Sequence, residues 1–118
     1  MDTKDLGFNS KLIHSGQYKD QFGSATVPIY QTSTFAFENA DHGAATFAGE
    51  TDGYIYTRIA NPTINALEVA VADLENGYRG IACGSGMAAV TAVYNGLLEQ
   101  GAHMVSHNAV YGPSRGVM

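Results

Sequence analysis

Apolar residues first recur with a helical beat at Ile64, Leu67, Val71 and Leu74, with Glu68, Asp73 and Glu75 among the polar positions between them. Asn61-Pro62 stands just ahead, a capping side chain followed by a proline whose missing N–H is harmless in a first turn. The pattern predicts a helix from Pro62 that Gly77 stops. Arg79 to Cys83 then reads as a strand, Ser85 to Gln100 as a helix ended by Gly101, and His103 to His107 as a second strand, together one βαβ unit. Within that helix Met87, Val90, Tyr94 and Leu97 form a stripe that Val93 and Leu98 widen, so it is expected to be covered on much of its surface. Tyr111-Gly112-Pro113-Ser114 begins a further turn into a helix.

Residues 1–60 follow no such beat. They are rich in Gly, Ser, Thr, Gln and aromatic residues, and Val27 to Phe37 alternates only loosely. This predicts an extended arm, which cannot bury Ile29, Tyr30, Phe35, Phe37 and Phe47 by itself and so lies against another surface. The fold class is α/β, with an arm over 1–60 and the start of a mostly parallel-sheet domain over 61–118. A parallel sheet needs several strands and both faces covered, so one βαβ unit with a helix just beginning reads as the amino-terminal piece of a longer chain.

Composition narrows the function. The 118 residues are 45% hydrophobic and 14% charged, enough for one small domain with a core. A net charge of -5 with six Lys plus Arg provides no basic stripe, which excludes a nucleic-acid partner. The lone Cys83 permits no internal disulfide and suits a reducing compartment. No run approaches the ~18 apolar residues of a membrane span, and the first residues are acidic rather than a basic leader. The expectation is a cytoplasmic protein without a membrane partner. All lysines, Lys4, Lys11 and Lys19, fall in the first part of the arm.

The richest chemistry lies in Gly84-Ser85-Gly86-Met87-Ala88-Ala89, where a strand breaks into glycines and then a helix. Such a turn bares backbone N–H groups at the positive end of the helix dipole, a cradle for phosphate. It also fits the G-x-G-x-x-A dinucleotide fingerprint, but Ser106-His107-Asn108-Ala109 lacks the acid that would hold a ribose. A glycine turn serving only tight helix–sheet packing is the plainer reading. In Tyr54-Ile55-Tyr56-Thr57-Arg58, strand alternation puts Tyr56 and Arg58 on one side, a phenol beside an arginine fork able to grip phosphate. A surface arginine over an aromatic ring is the alternative there.

Tyr111 follows a strand at the carboxyl edge where open α/β sheets bind ligands, and its ring is placed to stack on a flat cofactor or to fill a core. His103 and His107 are four apart, a span of roughly 13 Å in a strand and too far for one metal, so no metal site is expected. Cys83 reads as a small buried strand-end residue.

Taken together, Pro28-Ile29-Tyr30-Gln31-Thr32-Ser33-Thr34-Phe35, Tyr54 to Thr63, Gly84 to Ala89 and Val110-Tyr111-Gly112 resemble the Cys/Met-metabolism family of pyridoxal-phosphate enzymes. The likeness spans nearly the whole chain in order and spacing. The arm and the Tyr-Ile-Tyr-Thr-Arg stretch look most like that family's methionine γ-lyases. The resemblance implies the large cofactor domain of fold-type I, aspartate aminotransferase-like enzymes. Pyridoxal 5'-phosphate would be held by the N–H groups of Gly86 and Met87 in a turn lined by Ser85. Tyr56 and Arg58 would reach its phosphate from a neighbouring subunit of a homodimer or homotetramer, which becomes the surface for the arm. Tyr111 would stack on the pyridine ring and take part in proton transfer.

The implied reaction is γ-elimination from methionine or a related sulfur amino acid, giving a thiol, ammonia and 2-oxobutanoate. The siblings are cystathionine γ-lyase and the γ-replacement transferases, O-acetylhomoserine sulfhydrylase and cystathionine γ-synthase. Pro113 departs from the Tyr-Gly-Cys-Thr usual in methionine γ-lyases. No lysine matches the family's Schiff-base position, so the chain alone is expected to be inactive. A dinucleotide-binding oxidoreductase and a non-catalytic truncated subunit are the readings from other classes.

Overall fold

The computed structural model describes residues 3–118, with five helices among them: α1 (Phe8–His14), α2 (Ala40–Ala48), α3 (Pro62–Leu74), α4 (Gly86–Leu97) and α5 (Gly112–Gly116). They fall into two compact units, residues 3–81 and 82–118.

In the first unit, α3 begins where its sequence predicts. The Asn61 side chain accepts the Thr63 N–H at 2.9 Å and Pro62 takes the first helical position. Its end differs in detail. Asn76 takes the left-handed conformation at φ 53°, while Gly77 donates to the Ala72 carbonyl at 2.8 Å and Asn76 to that of Asp73 at 3.4 Å. This pair of backward bonds is a Schellman motif, so Asn76 reverses the chain and Gly77 completes the cap.

Residues 3–60 are not wholly extended. α1 and α2 interrupt them, and both escaped the periodicity because they span two turns or so. α2 carried a local signal nonetheless: Asn39 caps it by accepting the His42 N–H, Asp41 sits in its first turn, and Gly49 closes it at φ 72°. Phe37 lies 5.9 Å from the Phe47 ring and 6.0 Å from His42, close over Gly43, so part of the aromatic content is gathered locally.

α1 packs on α3 by way of Gly16, which follows it at φ 74° and lies so close to the helix that a Cβ there would stand 2.1 Å from the Ala66 carbonyl oxygen. The α3 residues that become buried are therefore the small ones, Ala66 and Ala72, with Pro62. The larger stripe of Ile64, Leu67 and Val71 remains exposed, because no described element covers it. In the second unit Met87, Val90 and Tyr94 are half-buried as their spacing predicts, but Leu97 is exposed. No large side chain is fully buried among the described residues.

The expected parallel sheet does not form among these residues. Neither Arg79–Cys83 nor His103–His107 is a strand. A strand exists by its hydrogen-bonded ladder, and a parallel one depends on neighbours that this segment does not supply. Cys83, expected to be buried at a strand end, is exposed for the same reason. The one β pairing described is the antiparallel bridge between Thr34 and Tyr56, where Phe35 N–H donates to Ile55 at 3.1 Å and Thr57 N–H to Ser33 at 2.9 Å.

Candidate cofactor site

Each unit contributes its own group of candidate residues. In the second, Ser85 adopts an extended conformation and caps α4, its Oγ accepting the Ala88 N–H at 3.1 Å while its carbonyl accepts that of Ala89 at 3.1 Å. The helix thus begins one residue after Ser85, and two of its first four donors are satisfied from within. The other two, the N–H groups of Gly86 and Met87, have no acceptor among the described residues.

The flanking glycines bear on the packing alternative. A Cβ at Gly84 or Gly86 would meet nothing within 4 Å, and neither residue has positive φ. Within this segment, then, neither close packing nor a left-handed turn requires glycine there. What their bareness achieves is an unobstructed approach to two N–H groups at a helix N-terminus, the arrangement suited to an anionic oxygen cluster.

Met87 is also the link to the next element. Its Sδ accepts the Ser114 hydroxyl at 3.6 Å, tying α4 to α5. Tyr111 stands immediately before α5, 70% exposed, and its side chain caps nothing. The turn residues Ser85, Gly86 and Met87 and the ring of Tyr111 therefore belong to one unit, on elements that touch.

In the first unit the Tyr56–Ala60 stretch is a tight turn. Ile59 N–H and Ala60 N–H both donate to the Tyr56 carbonyl, at 2.8 and 3.1 Å. Arg58 lies over the Tyr56 ring with its guanidinium carbon 5.3 Å from the centroid. It is exposed and has no carboxylate partner among the described residues. The alternative of an arginine over an aromatic ring is thus realised in this segment, and it leaves the guanidinium fork open to an anion.

From the sequence, Asn61 reads only as a helix cap. It is 2% exposed, and besides capping α3 it donates to the Tyr30 carbonyl at 2.9 Å and the Thr57 hydroxyl at 3.0 Å. Thr63 likewise joins α3 to the arm, donating to the Pro28 carbonyl at 2.8 Å and accepting the Tyr30 N–H at 2.9 Å. The sequence signal was weak, since a capping residue rarely reveals whether its remaining atoms are used.

A cleft of about 150 Å³ beside α3, bordered by Glu68, Asp73, Tyr78 and Arg79, contains none of the predicted site residues. No group of three or more His, Cys, Asp or Glu able to hold a metal gathers among the described residues. No described helix is long and apolar enough to cross a membrane.

Comparison with known proteins agrees with a phosphate-bearing cofactor. The model of the family described as Cys/Met metabolism PLP-dependent enzyme matches residues 9–118. The chain is 45% identical over 111 residues to an L-methionine gamma-lyase of Treponema denticola, covering 94% of this chain and 28% of that protein. It is 41% identical over 107 residues to an O-acetyl-L-homoserine sulfhydrylase of Corynebacterium glutamicum, covering 90% of this chain and 24% of the relative. The crystal structure of metB from Corynebacterium glutamicum superposes with a TM-score of 0.84 at 39% identity, over 98% of this chain and 28% of that one. A putative O-acetylhomoserine (thiol)-lyase from Campylobacter jejuni, solved with N'-pyridoxyl-lysine-5'-monophosphate, gives a TM-score of 0.70 at 38% identity, over 77% of this chain and 23% of that one. The chain spans about a quarter of the length of these proteins. With a match across almost all of its residues, it belongs to the Cys/Met metabolism family of enzymes, whose cofactor is pyridoxal 5'-phosphate.

Proposed function

We propose that this segment forms part of the pyridoxal-phosphate site of an enzyme that eliminates the γ-substituent of methionine or a related sulfur amino acid. The observation carrying the proposal is the Gly84–Met87 turn, whose two N–H groups lack acceptors beside glycines that packing does not demand. A phosphate dianion fits that cradle.

In this reading Gly86 and Met87 donate to phosphate oxygens, and Ser85 lines the turn while holding the helix start in shape. Tyr56 and Arg58 belong to an arm, residues 1–60, that reaches the phosphate of another subunit in a homodimer or homotetramer. The cofactor domain begins at residue 61. Tyr111 stacks on the cofactor ring and moves a proton at its phenol oxygen toward the departing sulfur. Pyridoxal phosphate, when bound, supplies the electron sink for the substrate carbanion. In this reading none of Lys4, Lys11 and Lys19 bonds the cofactor aldehyde, and the segment by itself is inactive. The assembly works in the cytoplasm.

The γ-replacement reaction is the second reading, favoured by Pro113 beside Tyr111 and by the sulfhydrylase relative. One pocket change of that size is worth only ~1–3 kcal/mol of discrimination, so the siblings overlap in substrate. A subunit of the relatives' full length carrying this segment is offered methionine alone, then O-acetylhomoserine with sulfide. 2-Oxobutanoate from methionine supports the lyase. Homocysteine from the second pair without 2-oxobutanoate from the first makes it a replacement enzyme.

A further inference from the structure

The amide of Asn61 is used more fully than capping requires. A helix cap needs one acceptor oxygen, which Ser, Thr or Asp supplies as well as Asn. Here Oδ1 accepts the Thr63 N–H, and both protons of Nδ2 are engaged as well, one by the Tyr30 carbonyl and one by the Thr57 hydroxyl. The orientation of the amide follows from its partners. Thr57 spends its single hydroxyl proton on the Thr32 carbonyl, so toward Asn61 it can only accept, and the Thr63 N–H can only donate. At 2% exposure the group has no water to fall back on, so each lost bond leaves a buried polar atom unsatisfied.

Those bonds converge on the turn that bears Arg58. Thr57 is held from three sides: its N–H by the Ser33 carbonyl, its hydroxyl by Thr32, and the same hydroxyl by Asn61. Arg58 is the next residue, at the exposed end of the turn closed by Ile59 and Ala60 on the Tyr56 carbonyl. A long cationic side chain recognises an anion more tightly when its backbone is already fixed, since less freedom is lost on binding.

We propose that Asn61 is a positioning residue for cofactor phosphate: acting through Thr57, it fixes the Tyr56–Ala60 turn so that Arg58 meets the phosphate pre-ordered. The proposal rests on the reading of Arg58 as a phosphate ligand given above. It makes the start of α3 part of the binding apparatus without Asn61 touching the cofactor.

The test separates capping from positioning. Asn61→Ser keeps a neutral cap for Thr63, but its short hydroxyl cannot reach Thr57 and Tyr30. In a subunit of the relatives' full length, equilibrium binding is measured for pyridoxal phosphate and for pyridoxal, which shares the aldehyde and ring but lacks the phosphate. Asn61→Ser is expected to weaken pyridoxal phosphate about tenfold and leave pyridoxal within about twofold, with no further loss when added to Arg58→Ala. Equal weakening of both compounds, no weakening of either, or a full extra loss in the Arg58→Ala background overturns the proposal. If Asn61→Ser does not fold, Thr57→Val removes the same link from the other side with the Asn61 cap intact, and the same outcomes decide. Arg58→Ala alone discriminates the two layers. If it leaves the preference for phosphate unchanged, the Arg58 reading fails and this proposal with it. If it abolishes that preference while Asn61→Ser does nothing, only the role of Asn61 fails.

Discussion

The Ser114 hydroxyl donates to the Met87 sulfur at 3.6 Å, so the residue offering one of the two free N–H groups of α4 is tied to the helix that begins just after Tyr111. If the turn grips phosphate and Tyr111 stacks on the cofactor, the two must keep a fixed spacing, and this contact joins the elements bearing them. The bond is weak, as sulfur acceptors are, but it is accompanied by packing of α4 on α5.

Tyr111→Phe keeps the ring and removes the phenol. If Tyr111 moves a proton in the full-length enzyme, turnover falls ~10²–10⁴-fold, the usual worth of general acid–base help, while cofactor content barely changes. Steady-state rates alongside the cofactor absorbance check this, and unchanged turnover reduces Tyr111 to a packing residue.

Arg58 lies in residues 3–81 and Gly86 in residues 82–118, two compact units. If they serve the phosphate of different subunits, co-expressing an Arg58→Ala subunit with one disrupted at Gly84-Ser85-Gly86 restores activity, because mixed dimers contain one intact site. Mixed dimers as inactive as either parent place both groups in the same subunit's site.

Gly16→Ala is expected to destabilise the packing of α1 on α3. The left-handed backbone alone costs ~1–3 kcal/mol for a residue with a Cβ, and that Cβ would lie 2.1 Å from the Ala66 carbonyl oxygen. Gly23→Ala is the control: its φ is 71° but nothing lies within 4 Å. Denaturant midpoints should fall in both variants and clearly further for Gly16→Ala. An equal fall leaves the close approach without energetic weight.

Asp73 predicts an acid-sensitive latch. The Thr3 hydroxyl donates to Oδ2 at 2.6 Å and, with the charges of Lys11 and Lys4, holds the carboxyl below its usual range. A carboxyl whose folded pKa is depressed adds stability above its unfolded value, near ~4, and loses it as pH falls through the folded pKa. Asp73→Asn should therefore be less stable than the parent at neutral pH and converge with it in acid. A constant difference between the two down to pH well below 4 removes the linkage.

Local chemistry was legible from the chain itself. The Asn61-Pro62 start of α3 and the glycine turns before α4 and α5 each depend on contacts within a few residues, so the sequence contains both partners. α2 has the same local partners in its Asn39 cap and Gly49 stop, but at nine residues it is too short for a period to single it out. The family motifs were legible too, since they are short and ordered along the chain.

Tertiary structure decided what depends on distant partners. Which face of α3 is buried followed from the close approach of Gly16, so small alanines went inside while Ile64, Leu67 and Val71 stayed exposed. Whether Arg79–Cys83 and His103–His107 become strands depends on neighbours that hydrogen-bond them, and no spacing within five residues can specify a neighbour. The second task of Asn61 lay hidden for the same reason, because Tyr30 stands thirty-one residues away and only folding brings its carbonyl to the amide.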